Sequence, residues 1–382
     1  MTRVKHLAGQ VFSFLKQEVV LTIALILAVI SAFFVPPDAQ YLSYIDYRTL
    51  CLLFCLMAVM AGLQKTGVFD LLARTVLRRV RGVKSLSFLL VMLCFFSAML
   101  ITNDVALITF VPFTFTVLNM VGETEKNRLI IPVVALQTIA ANLGSMLTPI
   151  GNPQNLYLHG LSEMGVGEFV GLMWPYAAIS FLLLSVWLLA QKGRGGVAIQ
   201  FADDVTVGDK KKIALYLIAF AVCLLTVTHL MDYKLTLVLT VALVMVADKK
   251  VFAKVDYTLL LTFAAFFLFI GNMGRVPAFS QFLQSVIAGR ECLTAVVASQ
   301  VISNVPAALL LSGFTDQFRP LIIGVNLGGL GTLIASMASL ISFKLLARED
   351  KSRKGKYLLY FTAANLVFLA VLLCAYYGLE II

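Results

Sequence analysis

The chain has 382 residues, of which 60% are hydrophobic and 13% charged, and its formal net charge is +10. A soluble domain carries about 25% charged residues, so a mean hydropathy of +0.94 places this chain in a membrane rather than in solution. Its Lys and Arg fall in short loops beside apolar runs, as cytosolic loops do, which argues against a nucleic-acid partner.

Residues 1–18 are short and basic and are expected in the cytosol, with no signal-peptide cleavage pattern. Residues 19–35 have the length of a first span. Pro36, Pro37 and Asp38 end it, in a loop without a Lys/Arg excess that should face outside. Residues 49–64 return. Residues 69–79 alternate apolar and basic positions, which predicts an amphipathic helix in the cytosolic interface. Then comes a polar triplet, Thr102-Asn103-Asp104, between two apolar arms. Each arm, about 16 residues or roughly 24 Å as helix, falls short of comfortable spanning length. With charged flanks on both sides, this predicts a re-entrant hairpin that enters from the cytosol and keeps its polar tip near mid-membrane.

Residues 129–158 are too polar in the middle for an ordinary span, and Pro149, Gly151 and Pro153 forbid a continuous helix there. A broken span is expected, with half-helix ends pointing into the membrane. Residues 169–191 return to the cytosol, closing a first unit over 19–191. A basic linker and one linking span occupy 192–233.

The second unit, 234–382, repeats the first. Asp46-Tyr47 matches Asp256-Tyr257 at an offset of 210 residues, where Lys65 also matches Arg275. Ile101-Thr102-Asn103 matches Ile302-Ser303-Asn304 at an offset of 201. Asn142-Leu143-Gly144 matches Asn326-Leu327-Gly328 at an offset of 184, which sets Asn152 opposite Ser336. The order of landmarks is kept, which indicates an internal duplication. The second hairpin tip falls at 303–305 and the second broken span at 318–346. The basic clusters orient the chain with its N-terminus inside. The expected fold is therefore an all-α membrane protein of two inverted repeats, with about nine spans, two re-entrant hairpins and an external C-terminus.

Half-helix N-termini carry partial positive charge and free N–H groups, which suit a carboxylate or oxyanion. Exposed carbonyls with Asn, Ser and Thr oxygens suit Na+. The six Cys and three His form no metal-binding or nucleophilic set, and there is no GxxxxGK[ST] phosphate loop. No cofactor site and no enzyme activity are expected, and transport should run on an ion gradient, either Na+ or H+.

Thr102-Asn103-Asp104, the run from Gly144 through Gly151-Asn152-Pro153-Gln154-Asn155, and Ser303-Asn304 resemble the ion transporter superfamily. That group holds divalent anion:sodium symporters, citrate transporters, arsenite permeases and some Na+/H+ antiporters. The chain is most similar to its compact bacterial inner-membrane anion permeases. The resemblance implies a multi-pass homodimer whose transport part moves against a scaffold like an elevator, carrying a di- or tricarboxylate or an oxyanion with a cation. An alternative on the same scaffold is a Na+/H+ antiporter or arsenite exporter. The resemblance also implies substrate binding at Thr102, Asn103, Asn152, Pro153, Ser303 and Asn304, and cation binding at Asn103, Gly151, Asn304, Thr332 and Ser336, to which burial in an apolar run adds Asp104. Na+ would sit near Asn103, Asp104 and Asn152.

Two residues depart from the Ser-Asn-Thr tips of the symporters. Val305 lacks a hydroxyl, which puts the second cation site in doubt. Asp104 is the one acid deep in an apolar segment. It is either the coupling residue, exchanging H+ and Na+, or a cap on the second arm of its hairpin. Gln154 and Asn155 line the site or satisfy the broken backbone. Lys65 and Arg275 are expected to anchor helix ends at the interface.

Overall fold

A computed structural model describes residues 18–78, 80–191 and 208–380. The expected cytosolic N-terminus up to residue 17, and linker residues 192–207, lie outside the described residues. Within them the chain is helical: α1 (Val19–Phe34), α2 (Tyr47–Lys65), α3 (Val68–Leu77), α4 (Val83–Ile101), α5 (Asn103–Val121), α6 (Glu123–Ser145), α7 (Pro153–Ser162) and α8 (Val166–Ala190) come first. There follow α9 (Lys210–Val227), α10 (Tyr233–Asp248), α11 (Tyr257–Gly274), α12 (Pro277–Ile287), α13 (Glu291–Ile302), α14 (Asn304–Ser312), α15 (Phe318–Leu327), α16 (Met337–Glu349) and α17 (Lys354–Glu380).

Among the described residues, seven helices are long and apolar enough to cross a membrane: α2, α4, α5, α6, α8, α11 and the stretch Lys351–Leu379. Helices α12 and α13 form a further apolar pair, bent by 110° at their junction. This is a multi-pass membrane protein. The arms of the first hairpin are longer than expected. Both α4 and α5 have 19 residues, about 28 Å at helical rise, because the first arm starts earlier, at Val83-Lys84-Ser85, and the second takes in Asn103 and Asp104 as its first turn. The second hairpin has short arms, 12 residues in α13 and 9 in α14. The first broken span also starts earlier than expected, at Glu123 instead of residue 129. Glu123 and Glu125 sit in its first turn, where negative charge favours a helix start.

Helix α6 is the buried centre, with 83% of its most apolar stretch buried, against 33% for α8. Helices α4 and α5 both pack on α6, and α16 and α17 pack on it from the other half. A second group surrounds α2 and α11. There the partners are exchanged between halves: α1 packs along α11, and α10 along α2. The ion pairs are exchanged in the same way. Lys65 at the end of α2 pairs with Asp248, and Arg275 at the end of α11 pairs with Asp38. The two helix ends expected only as interfacial anchors therefore also tie the halves together. Asp46 and Asp256 head α2 and α11 identically, each accepting the backbone N–H three residues on, at 3.0 and 2.9 Å.

Candidate functional site

Two helices break at the polar triplets, and they break alike. Thr102 has φ 72° and ψ 152°, and Ser303 has φ 73° and ψ 155°. This region is essentially reserved for glycine and costs about 1–3 kcal/mol per residue. The fold holds it by pinning the next residue: the Asn103 N–H donates to the Gly151 carbonyl at 3.2 Å, and the Asn304 N–H to the Ala335 carbonyl at 2.9 Å. Thr148 Oγ1 donates to the Met99 carbonyl, and Thr332 Oγ1 to the Gln300 carbonyl. Each hairpin tip is thus stitched to the loop that breaks its neighbouring span, 146–152 in one case and 328–336 in the other.

Buried amides join the two stitched units. Asn103 Nδ2 donates to Asn142 Oδ1 at 3.1 Å, and Ser336 Oγ donates to the same oxygen at 3.0 Å. Asn152 Nδ2 donates to Asn326 Oδ1 at 3.2 Å and to Ser145 Oγ at 3.2 Å. Asn326 Nδ2 reaches Asn155 Oδ1 at 2.6 Å. The exchange is reciprocal: the residue capping α7 binds the Asn of the second half, and the residue capping α16 binds the Asn of the first. Sequence reasoning used Asn142 and Asn326 as landmarks but did not place them in the site. Their signal was the position itself, an amide in the same Asn-Leu-Gly segment of each half.

A cavity of about 370 Å³ opens beside this network. Thr102, Asp104, Asn152 and Pro153 line it, with Met337 and Ile341 of α16, Leu53 to Gln64 of α2, and Lys254, Asp256 and Leu259 at the head of α11. The N-termini of α5, α7 and α16 therefore all reach its wall. Helix α7 begins as its residues dictate: Pro153 stands at the first position, and Asn152 Oδ1 accepts the Asn155 N–H at 3.0 Å. Asn152 is 2% exposed, whereas Lys254 and Asp256 are exposed, which puts the charged residues towards the mouth and the amide at the base. Lys254 and Asp256 were missed by sequence reasoning, since a charge beside a span ordinarily reads as an interfacial anchor.

Asp104 does not cap its helix. Thr102 Oγ1 takes the Val105 N–H, and the Asp104 N–H donates to Asn103 Oδ1 at 2.9 Å. The Asp104 carboxylate faces the cavity, and its Oδ1 is buried without a hydrogen-bond partner. The other expected residues divide. Asn103, Gly151, Asn152 and Ser336 are drawn together at the network, and Ser303 and Asn304 sit buried at the second tip. Thr332 lies apart, exposed, with its N–H and hydroxyl both bonded to Gln300. Asn155 satisfies the broken backbone: its Nδ2 lies 3.3–3.4 Å from the carbonyls of Ser145, Met146 and Thr148.

The chain matches a family model described as citrate transporter over residues 11–321. It is 34% identical over 319 residues to the inner membrane protein YbiR of Escherichia coli, covering 82% of this chain and 84% of that one. It is 33% identical over 317 residues to an uncharacterised transporter of Methanocaldococcus jannaschii, covering 82% of this chain and 85% of that one. A shorter stretch of 133 residues is 34% identical to the silicon efflux transporter LSI3 of rice, covering 35% of this chain and 26% of that one. With seven or more apolar helices and an inner-membrane relative, this is a plasma-membrane transporter, not an enzyme, and it belongs to the citrate transporter family.

Proposed function

We propose that this protein is a cation-coupled secondary transporter of a small anion, a di- or tricarboxylate or an oxyanion, bound in the cavity beneath Thr102 and Asn152. The observation that carries the reading is the charge balance of that cavity. Lys254 and the N-termini of α5, α7 and α16 favour an anion, while the carboxylates of Asp104 and Asp256 oppose it. An anion and an ionised, unpartnered Asp104 disfavour each other at that depth, so anion entry is favoured when a proton or Na+ neutralises Asp104. Binding energy of the anion then depends on the cation, which is the physical content of coupling.

The alternating-access step follows from where the cavity lies. One wall belongs to α2 and α11, whose partners and ion pairs are exchanged between halves; the opposite wall belongs to the broken helices. We take the first group as the scaffold of a homodimer and the second as the moving part, in two inverted repeats with an elevator-type displacement. The matched stitches at Asn103 and Asn304 support the repeat, and the exposed Lys254, in the basic cluster expected to be cytosolic, is the reason to take the open mouth as facing the cytosol.

Two experiments test the reading. Purified protein is heated with citrate, other di- and tricarboxylates, and arsenate, with and without Na+; stabilisation by one of these anions is expected, because a ligand of the folded state raises its melting temperature. Stabilisation by cations alone would favour the second reading, a Na+/H+ antiporter or an exporter of a small oxyacid, for which the unpartnered Asp104 oxygen is the specific observation. In proteoliposomes, Asp104→Asn should abolish the dependence of transport on pH and Na+. Dependence equal to wild type removes Asp104 from coupling.

A further inference from the structure

The loop 328–336 turns backbone carbonyls into the protein, where each needs a donor or a cation. Gln300, one turn before the Ser303 break, meets two of them. Its Nε2 lies 3.0 Å from the Gly328 oxygen and 2.9 Å from the Leu330 oxygen, and 3.1 Å from the oxygen of Val296, one turn back in its own helix. Its Oε1 accepts the Thr332 N–H at 2.8 Å. The loop is shaped around this amide: Gly331 has φ +108°, and a Cβ there would stand 2.3 Å from Gln300 Oε1.

The first half has no such amide at the matching place. Met99 stands where Gln300 would, and Leu147 where Gly331 would, and neither side chain offers an N–H. Its loop carbonyls are met from the other side by Asn155, whose counterpart Ser339 has a buried hydroxyl without a partner. Opposite Asp104, moreover, the second half has Val305, 6% exposed. The second half has thus gained a donor among its carbonyls and has a hydrocarbon where the first half has a charge.

Three carbonyl oxygens converging on one point are the donor set of a hard cation. Such a cation needs them only a few tenths of an ångström closer, at about 2.3–2.6 Å. We infer that loop 328–332 is a cation cradle in which the Gln300 amide nitrogen occupies the place of the ion. That cradle therefore takes no Na+, and the coupling ion binds elsewhere. This last clause rests on the proposed transport reading, whereas the cradle does not.

The experiment reads the cradle without reading transport. Gln300→Glu keeps the shape and the acceptor for Thr332 but sets a carboxylate oxygen against the carbonyls, which a bound cation or protonation relieves. Melting temperatures of wild type and Q300E are compared in NaCl and in choline chloride at equal ionic strength and one pH, so that only the cation differs. Q300E is expected to lose stability in choline and to regain about 2–4 °C in Na+ beyond any sodium effect in wild type. An equal sodium effect in both proteins overturns the inference. Should Q300E fail to fold, Q300A empties the cradle without adding charge. A sodium-specific rise beyond wild type then upholds the inference, and its absence overturns it. Failure here leaves anion binding untouched, since no anion other than chloride enters the assay.

Discussion

The loops 146–152 and 328–336 share a backbone and differ in what fills them. Both accept the N–H of the asparagine that follows a strained hydroxyl residue at a hairpin tip, and both end on a residue that heads a half-helix. Yet the first loop is satisfied by Asn155 from the helix that follows it, and the second by Gln300 from the arm that precedes it. The first lies beside a cavity and a free carboxylate oxygen; the second lies beside Val305. A fixed backbone thus leaves side chains free to differ, so that one half keeps an unpartnered carboxylate oxygen where the other packs hydrocarbon.

The comparison can be broken most forcefully at glycine. A Cβ on Gly151 would stand 2.0 Å from the Ser145 carbonyl oxygen, a backbone atom that cannot swing away. Gly151→Ala should cost about 4 kcal/mol or more, seen as lost folded protein in size-exclusion chromatography. Gly331→Ala meets the end of a flexible side chain, but its positive φ keeps part of the cost. It should cost about 2 kcal/mol, with part of that recovered in a Q300A background.

Next come the two donors to the first loop and its counterpart. Asn155→Ala leaves three carbonyls without that amide and should cost about 2–3 kcal/mol. Ser339→Ala removes a hydroxyl that bonds nothing and should change stability by less than about 0.5 kcal/mol. Equal melting temperatures for the two variants would mean the loops are satisfied alike. Lys254→Ala sharpens the other side of the contrast: it should raise the KM for the anion about tenfold, or 1.4 kcal/mol, and leave the melting temperature unchanged.

The smallest effect belongs to the exchanged ion pairs. The Arg275 hydrogen bond holds the Asp38 carboxyl below the usual carboxylate range. Its contribution is fully present above the unfolded value of about 3.9 and is lost as pH falls through the lowered folded value. Arg275→Ala should remove that acid limb from a melting profile measured between pH 3 and 7, lowering stability slightly at neutral pH and not at the acid end.

Much of this was legible because polar residues inside apolar runs are expensive and therefore conspicuous. Thr102, Asn103, Asp104, Ser303, Asn304 and the Gly151-Asn152-Pro153 turn announce themselves this way, and the breaks fall where those residues stand. Hairpin arm length was only partly legible, since an apolar stretch does not say where its cap will form; Val83 is reached through residues that look like loop, and Asn103 and Asp104 read as a tip although they are helical. Gln300 was hidden for a different reason. A glutamine near a helix end carries no mark of its partners, and those partners are backbone carbonyls that exist as acceptors only because the helix opposite is broken. Lys254 and Asp256 were hidden by their ordinariness at the end of a span.

The reciprocal bonds between Asn152 and Asn326, and between Ser336 and Asn142, have a consequence for biosynthesis. The amides of the first half leave the ribosome nearly two hundred residues before their partners in the second. During that interval Asn142 and Asn152 have only first-half partners, Asn103 and Ser145 among them, and lipid offers their remaining bonds nothing. Ribosome stalling before Ser336 should therefore leave a nascent chain that is inserted yet easily extracted, and release past it should lock the chain in place.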